Sequence, residues 1–180
     1  SFNGDLYNWD TSKVTSMASM FKGAAAFTGE GLGHTLSIWD TSKVTSMASM
    51  FKGATAFKGD LSNWDTSEVE NMQSMFEEAT SFDGDLSRWD TKGVTNMNWT
   101  FLSAKSFNGD LSRWDVSQVV NRWGIFLHAT AYHRARLHRL MRKYVKTRAI
   151  ALWWQEAAAK SIEEHRIERA RHGDVDDPLA

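Results

Sequence analysis

Apolar and polar positions along the chain recur as a block. The first block carries Phe2, Leu6, Trp9, Val14, Met17, Met20, Phe21 and Ala24 on a background of Asn, Gly, Asp, Thr, Ser and Lys. The opening Phe returns at Phe27, Phe57, Phe82 and Phe107, and the Trp-Asp pair at Trp39-Asp40, Trp64-Asp65, Trp89-Asp90 and Trp114-Asp115. The closing Phe returns at Phe51, Phe76, Phe101 and Phe126. Successive opening Phe residues are 25, 30, 25 and 25 positions apart. A fixed period in this range marks stacked units, each too small to bury its own apolar face and dependent on its neighbours for cover.

Within each unit the second half has helical spacing. Val14, Met17, Phe21 and Ala24 lie at i, i+3, i+7 and i+10, and later units fill the same slots, as at Val44, Met47, Met50, Phe51 and Ala54. The spacing predicts five short amphipathic helices. Asp10, Thr11 and Ser12 offer side-chain oxygens to the first turn, and Gly23 and Gly53 give the backbone a way out. The first half, Asp5–Trp9 and counterparts such as Asp85–Trp89, has room for one strand, and stacked strands would pair in parallel about 4.8 Å apart. The expected fold is α/β: a leucine-rich-repeat-like solenoid of five coils over residues 1–131, each a short strand plus a short helix, starting near 2, 27, 57, 82 and 107. The apolar slots point inward in this reading, which buries the tryptophans; an aromatic ladder on the outer face is the alternative.

The pattern Phe-Asn-Gly-Asp-Leu-Ser-x-Trp-Asp-x-Ser-x-Val-x-Asn-Met-x-x-x-Phe, as in Phe82–Phe101 and Phe107–Phe126, resembles the BspA-like repeat of bacterial surface lipoproteins and of some protist proteins. It covers residues 2 to about 131. The resemblance implies a non-enzymatic leucine-rich-repeat-like protein associated with cell-surface attachment and protein binding, and it carries over no catalytic residue. Five extra residues, Gly31, Leu32, Gly33, His34 and Thr35, depart from the pattern. Insertions in repeat arrays map to loops on one face, so these five are either a contact site or a freely drifting loop. Ser1 directly precedes an opening Phe, so the chain is expected to be a fragment whose earlier repeats or targeting segment lie outside it.

The fifth unit departs at Arg122 and Trp123-Gly124, so Val116–Ala131 is expected to begin the cap of the stack. From about Leu127 to His172 there is neither Gly nor Pro, which predicts a long C-terminal α-helix of roughly 60 Å that bends back, breaks or projects. Residues 132–180 thus read as a helical cap or extension with a short acidic tail. Leu137, Leu140, Met141, Tyr144, Val145 and Leu152 share one face of that helix, with Arg136, Arg139, Arg142, Lys143 and Lys146 opposite. Ile150, Trp153 and Trp154 break the division. They either cover the end of the stack or anchor a partner.

Charge sharpens the contrast between the two parts. Residues 1–131 hold ten Lys and Arg against fifteen Asp and Glu, and residues 132–180 hold eleven against seven. Between residues 132 and 148 there are seven basic side chains and no acid. Such a face is solvated, pairs with the acidic repeats, or meets an anionic membrane surface, nucleic acid or a helix-binding groove, nucleic acid being disfavoured. No run approaches the roughly 20 apolar residues of a membrane span. The absence of Cys excludes disulfides and thiolate chemistry.

Two columns of acids, Asp5, Glu30, Asp60, Asp85 and Asp110, and Asp10, Asp40, Asp65, Asp90 and Asp115, are calcium candidates, although turn and cap acceptance explains them without an ion. His128, His133 and His138 splay around a helix and disfavour zinc. Asn98-Trp99-Thr100 matches a glycosylation acceptor but lies inside a predicted helix, so the match is taken as coincidence. No cofactor is implied. No nucleophile–base pair or phosphate-cradling loop can be assembled, so an enzyme is not expected. The expected function is a non-enzymatic protein-interaction or structural scaffold, an accessory subunit that docks on a protein partner or larger complex through Ile150, Trp153, Trp154, Arg139, Arg142, Lys143 and Lys146. The alternative is a cell-surface adhesion protein that uses the repeat face, the location that the resemblance implies.

Overall fold

The computed structural model describes residue 6 and residues 8–30 and 36–132. All of these belong to the first of two compact units, Ser1–Tyr144; the second unit, Val145–Ala180, lies outside the described residues. Of the long C-terminal helix predicted from about Leu127 to His172, residues 127–132 are described and form turns, and the rest lies outside the described residues.

The repeats stack, but not as strand-plus-helix coils. The described residues contain no helix, and their β-structure consists of single parallel bridges, Ser16 to Ser46, Ser46 to Asn71, Asn71 to Asn96 and Asn96 to Asn121. Each coil is instead a succession of turns. In the second coil the amides of Trp39, Val44, Met50, Lys52, Ala54 and Phe57 donate to carbonyls three residues earlier. The amides between these turn donors point along the stack: Met47, Ser49, Phe51 and Gly53 donate to the carbonyls of Asn71, Gln73, Met75 and Glu77 in the third coil, at 2.7–2.9 Å. The same ladder joins the first coil to the second, the third to the fourth and the fourth to the fifth. Along this run, alternate amides hold their own coil and the next, which satisfies the backbone without helix or sheet.

Two slots in every coil make this possible. Ser19, Ser49, Ser74, Trp99 and Gly124 have φ of 55–61°, and so do Glu78, Ser103 and His128 at 57–60°, in a slot that Gly23 and Gly53 fill with φ of 73° and 70°. A residue with positive φ at the third position of a four-residue turn is what a type II turn requires, and it cannot continue an α-helix. The helical reading fails for a geometric reason. The consecutive turns Met47–Met50 and Phe51–Ala54 bury their first and fourth residues, so apolar positions fall at i, i+3, i+4 and i+7, the same spacing as a helix face. The expected strands, Asp5–Trp9 and counterparts such as Asp85–Trp89, give way to turns as well: the Trp9 amide donates to the Leu6 carbonyl at 3.0 Å and the Trp89 amide to the Leu86 carbonyl at 3.2 Å.

The core is a set of columns. Leu36, Leu61, Leu86 and Leu111, Val44, Val69 and Val94, and Met47, Met72 and Met97 are buried one above another. Phe51, Phe76 and Phe101 stack 5.4–5.7 Å apart, and Phe57, Phe82 and Phe107 5.6–5.9 Å apart. Trp39, Trp64, Trp89 and Trp114 form a third ladder at 6.3 Å that is also buried. Each indole N–H from Trp64 onward donates to the Leu carbonyl of the coil before it, at 2.7–3.0 Å. The inward reading of the tryptophans therefore holds from Trp39 to Trp114, and the ladder they form lies in the core and not on the outer face.

The fifth unit, expected to begin the cap of the stack, is itself a full coil, and the residues expected to form the helical cap, 132–180, lie outside the described residues apart from Tyr132. Asn121, Trp123, Ile125 and Leu127 accept the ladder from the fourth coil. Tyr132 then takes the opening-Phe slot of a sixth layer, 5.8 Å from Phe107 and 4.1 Å from Phe126.

Candidate functional surface

The docking residues expected from the sequence, Ile150, Trp153, Trp154, Arg139, Arg142, Lys143 and Lys146, and the insertion Gly31–Thr35 lie outside the described residues. The ring separation across that insertion, 5.9 Å from Phe27 to Phe57, matches the separations elsewhere in the column.

The described aspartates of the two acidic columns are turn acceptors. The carboxylates of Asp10, Asp40 and Asp65 each accept from the amide and hydroxyl of the Ser two residues on, at 3.0 and 2.6 Å. Asp60, Asp85, Asp110 and Asp115 accept the corresponding amides at 2.9–3.1 Å. The Ser hydroxyls, followed by the amides, hold the carboxyls of Asp10, Asp40 and Asp65 below the usual carboxylate range. At Asp85 the Ser87 amide is the larger cause. Among the described residues no three His, Asp or Glu side chains gather closely enough to hold a metal. Nor is any helix among them long and apolar enough to cross a membrane.

The run of turns presents a lateral face whose chemistry changes along the stack. In the first two coils its slots hold Ala18, Ser19 and Lys22, then Ala48, Ser49 and Lys52. The third coil brings Gln73, Ser74, Glu77 and Glu78, with Glu77 bound to Lys52 at 2.7 Å. In the fourth and fifth coils the face carries Trp99, Leu102, Trp123 and Leu127. Ladder bonds place them side by side: the Trp99 amide donates to Trp123 and the Ser103 amide to Leu127, both at 2.7 Å. The Trp99 indole lies over Gly124, so closely that a Cβ there would sit 2.8 Å from its ring.

Trp99 is 40% exposed and left-handed at φ 56°. A bulky side chain in that region costs about 1–3 kcal/mol, so the slot holds a tryptophan at a backbone cost that the Ser of the earlier coils bears in the same place. The sequence did contain a signal for this patch: it departs from the chain's own repeat, Trp where three earlier units have Ser, and Leu where they have Lys or Glu. The helix assignment hid it by placing Trp99 on a helix. In the Asn98-Trp99-Thr100 match the Thr100 hydroxyl is buried and shares its one proton between the Met97 and Met72 carbonyls.

Neither a curated protein nor a solved structure matches the chain. A repeat family does, over residues 1–32 and 30–138. With well over half of its length covered, the chain belongs to the family described as Mycoplasma protein of unknown function, DUF285.

Proposed function

We propose that the chain is a non-enzymatic protein-binding module and that the turn face of its fourth and fifth coils, Trp99, Leu102, Trp123 and Leu127, receives a protein partner. The observation that carries this reading is Trp99, an exposed indole in a strained backbone slot beside two leucines and next to the acids of the third coil. Exposed aromatic anchors on a rigid support are where binding energy concentrates. Glu77 is buried against Lys52, and the exposed Glu78 beside the patch favours a partner that combines apolar side chains with a basic one.

A second reading is attachment at a cell surface through the same face. It is supported by the BspA-like pattern of Phe82–Phe101 and by membership of the family.

The chain supplies its own control substitutions. Trp99→Ser, Leu102→Lys and Leu127→Lys restore the residues that coils one and two carry in these slots. Affinity purification from the native source with the intact chain and with the triple variant should lose the partner in the variant while circular dichroism stays unchanged. Lys43→Ser, elsewhere on the stack, should keep it. A partner retained by the triple variant refutes the assignment.

A further inference from the structure

We propose that the partner of the lateral face is an amphipathic α-helix that lies along the stack, one helical turn to each coil. The inference rests on the patch assigned above and adds the form and the order of what it receives. In the fourth coil the turns Met97–Thr100 and Phe101–Ala104 bury their first and fourth residues and carry the middle pairs, Asn98-Trp99 and Leu102-Ser103, on the outside. The neighbouring coils hold Gln73-Ser74 and Glu77-Glu78, then Trp123-Gly124 and Leu127-His128, in the same places. Two ridges therefore run along the stack, with a furrow between them whose floor is backbone. That backbone is already engaged. Every amide from Met97 to Ala104 donates within the chain, those of Met97, Trp99, Phe101 and Ser103 to the fifth coil. An added strand would find no donor there, so the partner is held through side chains and satisfies its own backbone, as a helix does.

Spacing selects the helix over an extended segment. The Phe rings of successive coils beneath the furrow are 5.3–5.7 Å apart, and one α-helical turn rises about 5.4 Å. Residues i, i+3 or i+4, and i+7 of a helix thus meet successive coils. Two residues of an extended or polyproline chain advance about 6.2–6.8 Å and fall out of step. Charge then fixes the order. Trp123, Leu127, Trp99 and Leu102 call for apolar side chains at i, i+3 and i+4, and Glu78, exposed on the third coil, calls for Arg or Lys at i+7. Glu77 makes no such demand, because Lys52 holds it at 2.7 Å. On the second coil Ala48, Ser49 and Gly53 are small enough for the helix to continue over them. Its carbonyl end there meets the Lys52 ammonium, which sets its direction.

The test measures fluorescence anisotropy of a labelled peptide added to the full chain. The probe has about 18 residues, with Leu at i, i+3 and i+4 and Arg at i+7 in an Ala–Gln background that favours helix. Saturable binding is expected, and Trp99→Ser, Leu102→Lys and Leu127→Lys together should abolish it. Proline at i+5 of the probe, on the opposite side of the helix, leaves the contact residues in place and should weaken binding about tenfold or more. Glu78→Lys, in an exposed slot that other coils fill with Gly, Ser or His, should weaken it about fivefold, and Glu in place of the probe's Arg should restore it. No saturable binding at millimolar probe, or equal binding of the proline peptide, overturns the helix; the patch itself still stands if the native partner is lost from the triple variant. Indifference of the charge exchange overturns the order, and a probe that binds the triple variant as well as the intact chain overturns the placement.

Discussion

Replacing Gly53 by Ala separates a stack of turns from a stack of helices, because the two predict opposite signs. Gly53 has φ of 70°, and a Cβ built on it would meet nothing closer than the Gly23 Cα at 3.6 Å, an ordinary contact. The added methyl therefore brings no clash, only the cost of holding an L-residue in the left-handed region. That cost is about 1–2 kcal/mol, offset by about 0.4–1 kcal/mol because Ala restricts the unfolded chain. The expected net effect is a loss of about 1 kcal/mol. On a helix the same change would gain about 1 kcal/mol. Glu78, in the same slot with φ of 60° and exposed, provides the inverse test. Glu78→Gly should raise stability slightly on the turn geometry and lower it by about 0.6 kcal/mol on a helix. Urea unfolding, with equal slopes for all variants, reads both. A more stable Gly53→Ala variant, or a less stable Glu78→Gly variant, would refute the left-handed assignment.

Two further predictions concern the tryptophans and the acids. Trp64→Phe removes an N–H that donates to the Leu36 carbonyl at 2.7 Å, whereas the buried Trp39 N–H has no acceptor among the described residues, so Trp64→Phe should cost about 1 kcal/mol more than Trp39→Phe in urea unfolding. Equal costs would refute the role of that bond. The carboxyls of Asp10, Asp40, Asp65 and Asp85 are held below their ordinary range in the folded chain. Their contribution is therefore complete above the unfolded-state value of about 3.9 and disappears as the pH falls through the folded value. Melting temperature should drop below about pH 4, and Asp40→Asn with Asp65→Asn should flatten that drop; an unchanged profile would contradict it.

The columns were legible in the sequence because burial depends on composition and period: a Phe, Trp or Met returning every 25 residues has only its counterparts to stack on. The backbone between them was not. Met47, Met50, Phe51 and Ala54 face inward on a helix or on two successive type II turns alike, and hydropathy cannot distinguish the two. Ser at positions 19, 49 and 74 is neutral enough to fit either. The decisive hint was glycine at 23 and 53, which reads as a helix exit when taken alone and as a left-handed slot only when Glu78, Ser103 and His128 are aligned beneath it. The lateral patch was legible in principle, through Trp99 and Leu102 breaking the repeat's own pattern. Tyr132 escaped notice because it matches the opening Phe in shape and not in letter.

The alternate-amide ladder also bears on how the stack carries load. Seven backbone bonds in each joint, the four of the ladder and three donated back by the next coil, run along the stacking direction, so tension on that axis strains all seven together, while peeling from one terminus breaks them singly. A molecule tethered at its ends should accordingly lengthen in coil-sized steps of about 25 residues, yielding gradually like a zip and shielding whatever it holds from an abrupt pull.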